Sequence, residues 1–164
     1  MYAYPFYPSR SVHSLDGIWE FAFLGADAPK LEEIRTDGIR FNELMAVPGC
    51  FDAAPKYAGV RGVGAYCRTV AVPANTKLRL RLGALGLRGR ILWDGVEIAL
   101  NELPYSQQCC EFNAGSGGTH ELIFLIDNRF DPADTPLFHP FYDFYGYGGI
   151  YRSVELETLP DGVH

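Results

Sequence analysis

Gly89-Arg90-Ile91-Leu92-Trp93-Asp94-Gly95-Val96-Glu97-Ile98-Ala99-Leu100 sets two short apolar runs on either side of an Asp-Gly pair. Ile91 and Trp93 alternate on the way in, and Val96, Ile98 and Leu100 on the way out. Asp-Gly suits the positive φ angles of a tight type I′ turn, so the stretch predicts a β-hairpin. The same period of two recurs on both sides of it. Trp19, Phe21 and Phe23 alternate with Glu20 and Ala22, and Leu78, Leu80 and Leu82 alternate with Lys77, Arg79 and Arg81. Each set predicts a strand with one apolar face turned inward. From His120 to Asp127 the pattern changes: Leu122, Ile123, Phe124, Leu125 and Ile126 are apolar on both faces. That predicts a central strand covered on two sides. A last strand is expected over Ile150 to Leu159, with Val154 and Leu156 inward and Glu155 and Glu157 outward.

Loops are expected between these strands, at Gly25 to Thr36, Pro48 to Val63, Asn113 to Thr119 and Asn128 to Gly149. The last is long for a connection without structure of its own, and it holds six aromatics: Phe138, Phe141, Tyr142, Phe144, Tyr145 and Tyr147. Long loops of this kind are functional or disordered, and so many rings argue against disorder. Helical periodicity is scarce. Short, numerous strands with Gly and Pro turns between them imply an all-β sandwich or barrel.

The 164 residues fit one ordinary domain with a single core. A hydrophobic fraction of 48%, with 18 Gly and 11 Pro, is that of a globular protein rich in turns. The net charge of −6, with no run of Lys or Arg, argues against nucleic acid and anionic membranes as partners. The opening residues lack a cationic stretch followed by an apolar one, and no span suits a membrane, so a cytoplasmic protein is expected. Cys50, Cys67, Cys109 and Cys110 are too few and too unevenly spaced for a disulfide framework, and they lack C-x2-C pairs for zinc. Buried free thiols are expected, with no metal and no cofactor.

Four segments carry a resemblance. Leu15-Asp16-Gly17-Ile18-Trp19-Glu20-Phe21 resembles the L-x-G-x-W-x-F opening strand of the sugar-binding domain of glycoside hydrolase family 2. Val47-Pro48-Gly49 followed by Cys50-Phe51 is similar to that family's V-P-G segment, and Tyr66-Cys67-Arg68 with Val72-Pro73 to its Y-x-R…V-P strand. Phe138 through Val154, with the core Gly149-Ile150-Tyr151-Arg152-Ser153-Val154, resembles the loop and final strand that end the domain in β-glucuronidases. The resemblance implies a jelly-roll β-sandwich of the galactose-binding type over residues 14–159. Residues 1–13 would then be an N-terminal extension, and 160–164 the start of a linker to immunoglobulin-like and (β/α)8 barrel domains.

The resemblance also implies a site. Asp143 stands where glucuronidase-like members have an Asp that reaches into the neighbouring barrel and accepts hydrogen bonds from sugar hydroxyls. An ionised carboxylate can take two adjacent O–H groups in this way. Tyr142 is assigned to the same substrate-binding edge. Phe141, Phe144, Tyr145 and Tyr147 read either as a platform for sugar rings or as the seam that docks on the barrel, and the seam is preferred. The chain departs from the family pattern at Asn101-Glu102-Leu103-Pro104-Tyr105-Ser106-Gln107, which replaces a His and a Gly-Gly-Tyr-Thr-Pro segment.

A retaining glycosidase needs two carboxyl groups about 5 Å apart. In the family both are Glu residues of the barrel, so no catalytic residue is expected here. Asp127, Asp131 and Asp134 read as solvated or turn-making residues. His139 and Asp143 do not read as a metal pair, because Pro140 lies between them and no third ligand is visible. Gly146-Tyr147-Gly148-Gly149 precedes a strand rather than a helix, which argues against phosphate binding. The expected function is therefore a sugar-binding and scaffold domain of a β-glucuronidase- or β-galactosidase-type hydrolase acting on a β-glycoside, with the oligomeric state, a homo-oligomer included, left open. The alternatives are a free-standing carbohydrate-binding module and a non-catalytic assembly domain.

Overall fold

The computed structural model describes residues 11–131 and 145–159. The strands in chain order are β1 (Ser11–Ser14), β2 (Gly17–Gly25), β3 (Glu43–Val47), β4 (Gly49–Cys50), β5 (Val63–Val72), β6 (Lys77–Leu82), β7 (Arg88–Trp93), β8 (Val96–Asn101), β9 (Gln108–Asn113), β10 (Gly118–Asp127), β11 (Gly149–Ile150) and β12 (Val154–Leu159). They form a four-stranded sheet, β1-β12-β6-β9, and a six-stranded sheet, β3-β2-β5-β10-β7-β8, with β11 and β4 as a separate short pair. All pairings are antiparallel. Of the two all-β architectures that the alternating pattern allows, this is the sandwich, as the resemblance implies.

Two apolar layers hold it together. Between the sheets lie Trp19, Phe21 and Tyr66 from one side and Leu78, Leu80, Leu82 and Leu156 from the other, all closed to solvent. On the outer face of the larger sheet, Ala22, Ala65, Cys67, Leu92, Ile123 and Leu125 pack under Leu31 and Ile34, with Ile39 and Phe41 alongside. The connection between β2 and β3 thus acts as a cover, and it includes a 3-10 turn at Leu31–Glu33. These two layers explain β10. Leu122, Phe124 and Ile126 face the intersheet core, while Ile123 and Leu125 face the covered outer side. Phe124 meets Trp19 edge-on with ring centroids 5.5 Å apart.

At the hairpin tip, Asp94 and Gly95 take φ of 49° and 78°, as the turn requires. The Asp94 carboxylate accepts the Glu121 N–H at 2.9 Å and lies 2.6 Å from His120 Nδ1, and the His120 ring stacks on Trp93. The tip is thereby tied to the central strand. The pairing is not regular throughout: Ile91 faces Ala99 but Leu92 faces Glu97, so Ile98 is a bulge residue and Val96 is left exposed.

Several expectations need correction. Glu157 faces outward but is buried, because Arg79 lies across it at 3.1 Å. It belongs to a ladder on the outer face of the four-stranded sheet, in which Arg79 and Lys77 also pair with Glu111, and Arg81 with Glu155. The last strand is two strands, β11 and β12, which pair with different partners. Strands β3 and β9 were not anticipated, and Pro48 to Val63 holds β4 and two 3-10 turns rather than plain loop. Strand β1, of which Ser11, Val12 and His13 fall within the expected extension, pairs with β12. Asp127 is buried and gripped by the Arg129 guanidinium at 2.7 Å, so it is not solvated, although it does make a turn by accepting the Arg129 N–H. The four cysteines are free, but Cys67 alone is fully buried and Cys109 is exposed. Cys109 and Cys110 are neighbours on β9 and so point to opposite faces.

Phe124→Ala is expected to lower stability by about 3–5 kcal/mol, measured by urea denaturation, because it opens a void against Trp19. Burial pushes the thiols of Cys50, Cys67 and Cys110 up to about 11. Iodoacetamide at neutral pH should therefore label Cys109 first, and peptide mapping that found equal labelling of all four would contradict this burial pattern.

Candidate functional site

Strand β10 runs without a break into Asn128, and β11 begins at Gly149. The segment between Asn128 and Gly149 carries the residues singled out in the sequence. Asp143, Tyr142, Phe141 and Phe144 lie outside the described residues, as do Phe138, His139 and Asp134. The two stems, Asn128 to Asp131 and Tyr145 to Gly149, are described, and so is the ground on which they stand.

That ground is the segment after β3. Asp52 and Asn128 are both buried. Asn128 Nδ2 donates to Asp52 Oδ2 at 2.8 Å, and Asn128 Oδ1 accepts the Gly62 N–H at 2.8 Å. The same Asp52 oxygen accepts the Gly148 N–H at 3.0 Å. One carboxylate therefore holds the outgoing stem by a side chain and the returning stem by its backbone. Burial raises the pKa of Asp52, against the opposing pull of the Gly148 N–H, the Asn128 amide and the Arg61 charge.

Arg61 completes the anchorage. Its Nη1 donates to the carbonyls of Asn128 at 2.7 Å and Gly146 at 2.9 Å, and its Nη2 donates to the carbonyl of Tyr145. The guanidinium also lies 3.8 Å from the ring centroid of Phe130 and 4.7 Å from that of Tyr145. Burial lowers its pKa, with partial compensation from nearby Tyr145 and Asp52. Gly148 leaves no room for a side chain: a Cβ there would lie 2.6 Å from Asn128 Cβ and 2.7 Å from the Phe51 ring. Gly149 pairs with Cys50, and Ile150 with Gly49. The V-P-G segment and the G-I-Y-R segment, far apart in sequence, thus meet as β4 and β11.

Of the four residues assigned to a docking seam, two are described. Tyr145 and Tyr147 lie with ring centroids 4.5 Å apart, and both are exposed, at 37% and 47%. The divergent Asn101–Gln107 segment contributes a third exposed ring. Tyr105 packs 5.5 Å from Tyr151, whose hydroxyl donates to the Leu85 carbonyl at 3.0 Å, and the Tyr105 N–H reaches the same carbonyl. Asp52, Arg61 and Asn128 were not anticipated. Nothing in their local sequence sets them apart, since each acquires its role from partners distant along the chain. Among the described residues no group of three or more His, Cys, Asp or Glu could hold a metal ion, and no helix is long and apolar enough to cross a membrane.

No protein-family model matches the sequence. Solved structures do match it over nearly its whole length. The chain is similar to a GH2 β-galacturonidase from Eisenbergiella tayi bound to galacturonate, with a TM-score of 0.79 and 27% identity over 97% of this chain and 26% of that one. It is similar to a β-glucuronidase from Ruminococcus gnavus in complex with D-glucuronic acid, with a TM-score of 0.79 and 26% identity over 96% of this chain and 31% of that one. A Faecalibacterium prausnitzii β-glucuronidase, at 23% identity, shares the fold with a TM-score of 0.77 over 96% of this chain and 33% of its own. The chain thus spans about a quarter to a third of the length of these structures.

Fold and likeness together define a β-sandwich domain of the kind built into glycoside hydrolases. More particularly, the chain fits the amino-terminal domain of glycoside hydrolase family 2.

Because folding raises the pKa of Asp52, its contribution to stability is present below the ordinary carboxylate value and is lost as pH climbs through the raised one. Asp52→Asn keeps an acceptor oxygen and removes this titration. Urea midpoints of the unaltered protein are expected to fall more steeply than those of the variant as pH rises from acid to neutral. A gap between the two that is constant with pH would exclude Asp52 as the source.

Proposed function

We propose that this domain serves a retaining glycoside hydrolase of β-glucuronidase type, as scaffold and as the source of one substrate-contacting carboxylate, Asp143, with Tyr142 beside it. The observation that carries this reading is the likeness to the β-galacturonidase and the β-glucuronidase, joined to the anchored stems on either side of residues 132–144. Those two proteins are described with galacturonate and D-glucuronic acid bound, which favours a β-linked uronic acid as the sugar here. The catalytic pair of carboxyl groups would come from a (β/α)8 barrel elsewhere in the longer protein. Tyr145 and Tyr147, with Phe141 and Phe144, would form the seam against that barrel. Large exposed rings held side by side are what a domain interface uses as anchors. Four free thiols suit a reducing compartment, which supports a cytoplasmic location.

In a hydrolase carrying this domain, Asp143→Ala is expected to remove about 2–4 kcal/mol of transition-state stabilisation, read as a loss in kcat/KM on aryl uronides. An unchanged kcat/KM would take Asp143 out of the site. Millimolar or tighter binding of uronides by the 164-residue domain alone, measured by calorimetry, would favour a free-standing binding module instead.

A further inference from the structure

Between β8 and β9 the chain crosses from the edge of the six-stranded sheet to the edge of the four-stranded one. Asn101, the last residue of β8, and Gln108, the first of β9, line a pocket of about 240 Å³ in that crossing. Asn101 pairs with Gly89 in the larger sheet and Gln108 with Leu82 in the smaller, so each amide stands on a different sheet. A backbone group orients each of them. Asn101 Oδ1 accepts the Leu103 N–H at 2.9 Å, which leaves Nδ2 open, and Gln108 Nε2 donates to the Leu100 carbonyl at 3.3 Å, which leaves Oε1 open. Both open atoms are closed to solvent, neither has a hydrogen-bond partner among the described residues, and Asn101 as a whole is 4% exposed. Buried amide groups are nearly always paired, so a donor and an acceptor left open beside one pocket mark a place that a ligand completes. We infer that this pocket binds a small neutral polyol of the size of one sugar ring or less.

The chemistry of the lining selects the ligand class. A hydroxyl both donates and accepts, so adjacent hydroxyls answer Asn101 Nδ2 with an oxygen and Gln108 Oε1 with an O–H. A cation would meet the Asn101 donor. An anion would meet Gln108 Oε1 and the Glu102 carboxylate, and the lining holds no Lys, Arg or His to offset them. Glu102 is itself engaged with Arg88 at 3.1 Å. Towards the opening, Ser106 Oγ donates to the Pro104 carbonyl at 3.4 Å, and Gln107 Nε2 reaches the Cys109 sulfur, a weak acceptor, at 3.9 Å. Both side chains belong to exposed residues, and bonds this long are readily exchanged for shorter ones. Because the floor atoms are closed to solvent, entry requires this lightly held rim to give way. Polar groups from floor to rim favour a ligand hydroxylated along its length over one with a single polar end, such as a carboxamide. The volume lies below the roughly 300–1,000 Å³ of pockets for drug-sized ligands, which suits one ring and excludes an oligosaccharide.

Two-dimensional NMR of the isotope-labelled 164-residue chain tests this, with the side-chain amide signals of Asn101 and Gln108 followed during titration. The probes are D-glucose, D-galactose and glycerol, with sodium D-glucuronate and acetamide as comparisons. At least one of the three polyols is expected to give saturable shifts in both amides and in the Leu103 N–H, with a millimolar Kd, and the two comparisons to bind about tenfold more weakly or not at all. Asn101→Asp keeps the acceptor for the Leu103 N–H but replaces the open donor by a carboxylate oxygen, and Gln108→Met keeps the length of the side chain but removes the open acceptor. Each is expected to weaken binding about tenfold or more while signals from β2, β5 and β10 stay in place. Should one variant lose its folded spectrum, the other decides. No saturable shift with any of the three polyols at concentrations approaching molar would overturn the inference. So would equal binding of glucuronate or acetamide, or unchanged affinity in a folded variant.

Discussion

Strand β10 is buried on both faces, and most of the molecule follows from that constraint. A strand with apolar side chains on alternate faces needs two covers. The four-stranded sheet supplies one, and the segment between β2 and β3 supplies the other, with Leu31 and Ile34 laid over Ile123 and Leu125. With β5 on one side and β7 on the other, every backbone group along the strand's middle has a partner. The strand then passes directly into Asn128, fully buried and bonded to Asp52 and Gly62. Asn128, just after the end of that strand, and the Gly148 N–H are thereby held by one buried carboxylate, Asp52.

The parts legible in the sequence are those in which local pattern and tertiary environment agree. Asp94-Gly95 dictates its own turn, Leu78, Leu80 and Leu82 dictate a face, and the run from Leu122 to Ile126 announces two-sided burial. Edge strands are harder to see. Strand β9, Gln108–Asn113, mixes polar and apolar residues without alternation, and β3, Glu43–Val47, is apolar from Leu44 to Val47 although exposed at every second position, so neither shows an alternating apolar stripe. Glu157 was placed on the correct face but not at its true depth, because burial there comes from Arg79 of the adjacent strand, and no single strand carries that information.

The candidate site divides along the same line. The G-I-Y-R and V-P-G segments were visible as motifs, and the structure joins them as β11 and β4. The polar anchorage was invisible because Asp52, Arg61 and Asn128 look like ordinary loop residues until the fold gathers them. Sequence identity of 26–27% with the uronidases nonetheless accompanies TM-scores of 0.79. Alternating patterns tolerate many apolar exchanges so long as volume and face are kept, so a fold outlasts most of the residues that write it.

The charge ladder on the four-stranded sheet sets the electrostatic character of that surface. Lys77, Arg79 and Arg81 are each answered by Glu111, Glu155 or Glu157 within the same surface. Opposite charges this close cancel within a few ångströms, and little field survives to draw in a distant body. That side of the sandwich is electrostatically quiet, whereas the end bearing Tyr105, Tyr145 and Tyr147 leaves ring surface in water. The two surfaces thus differ in kind, one with its charges satisfied inside the sheet and one that exposes aromatic rings.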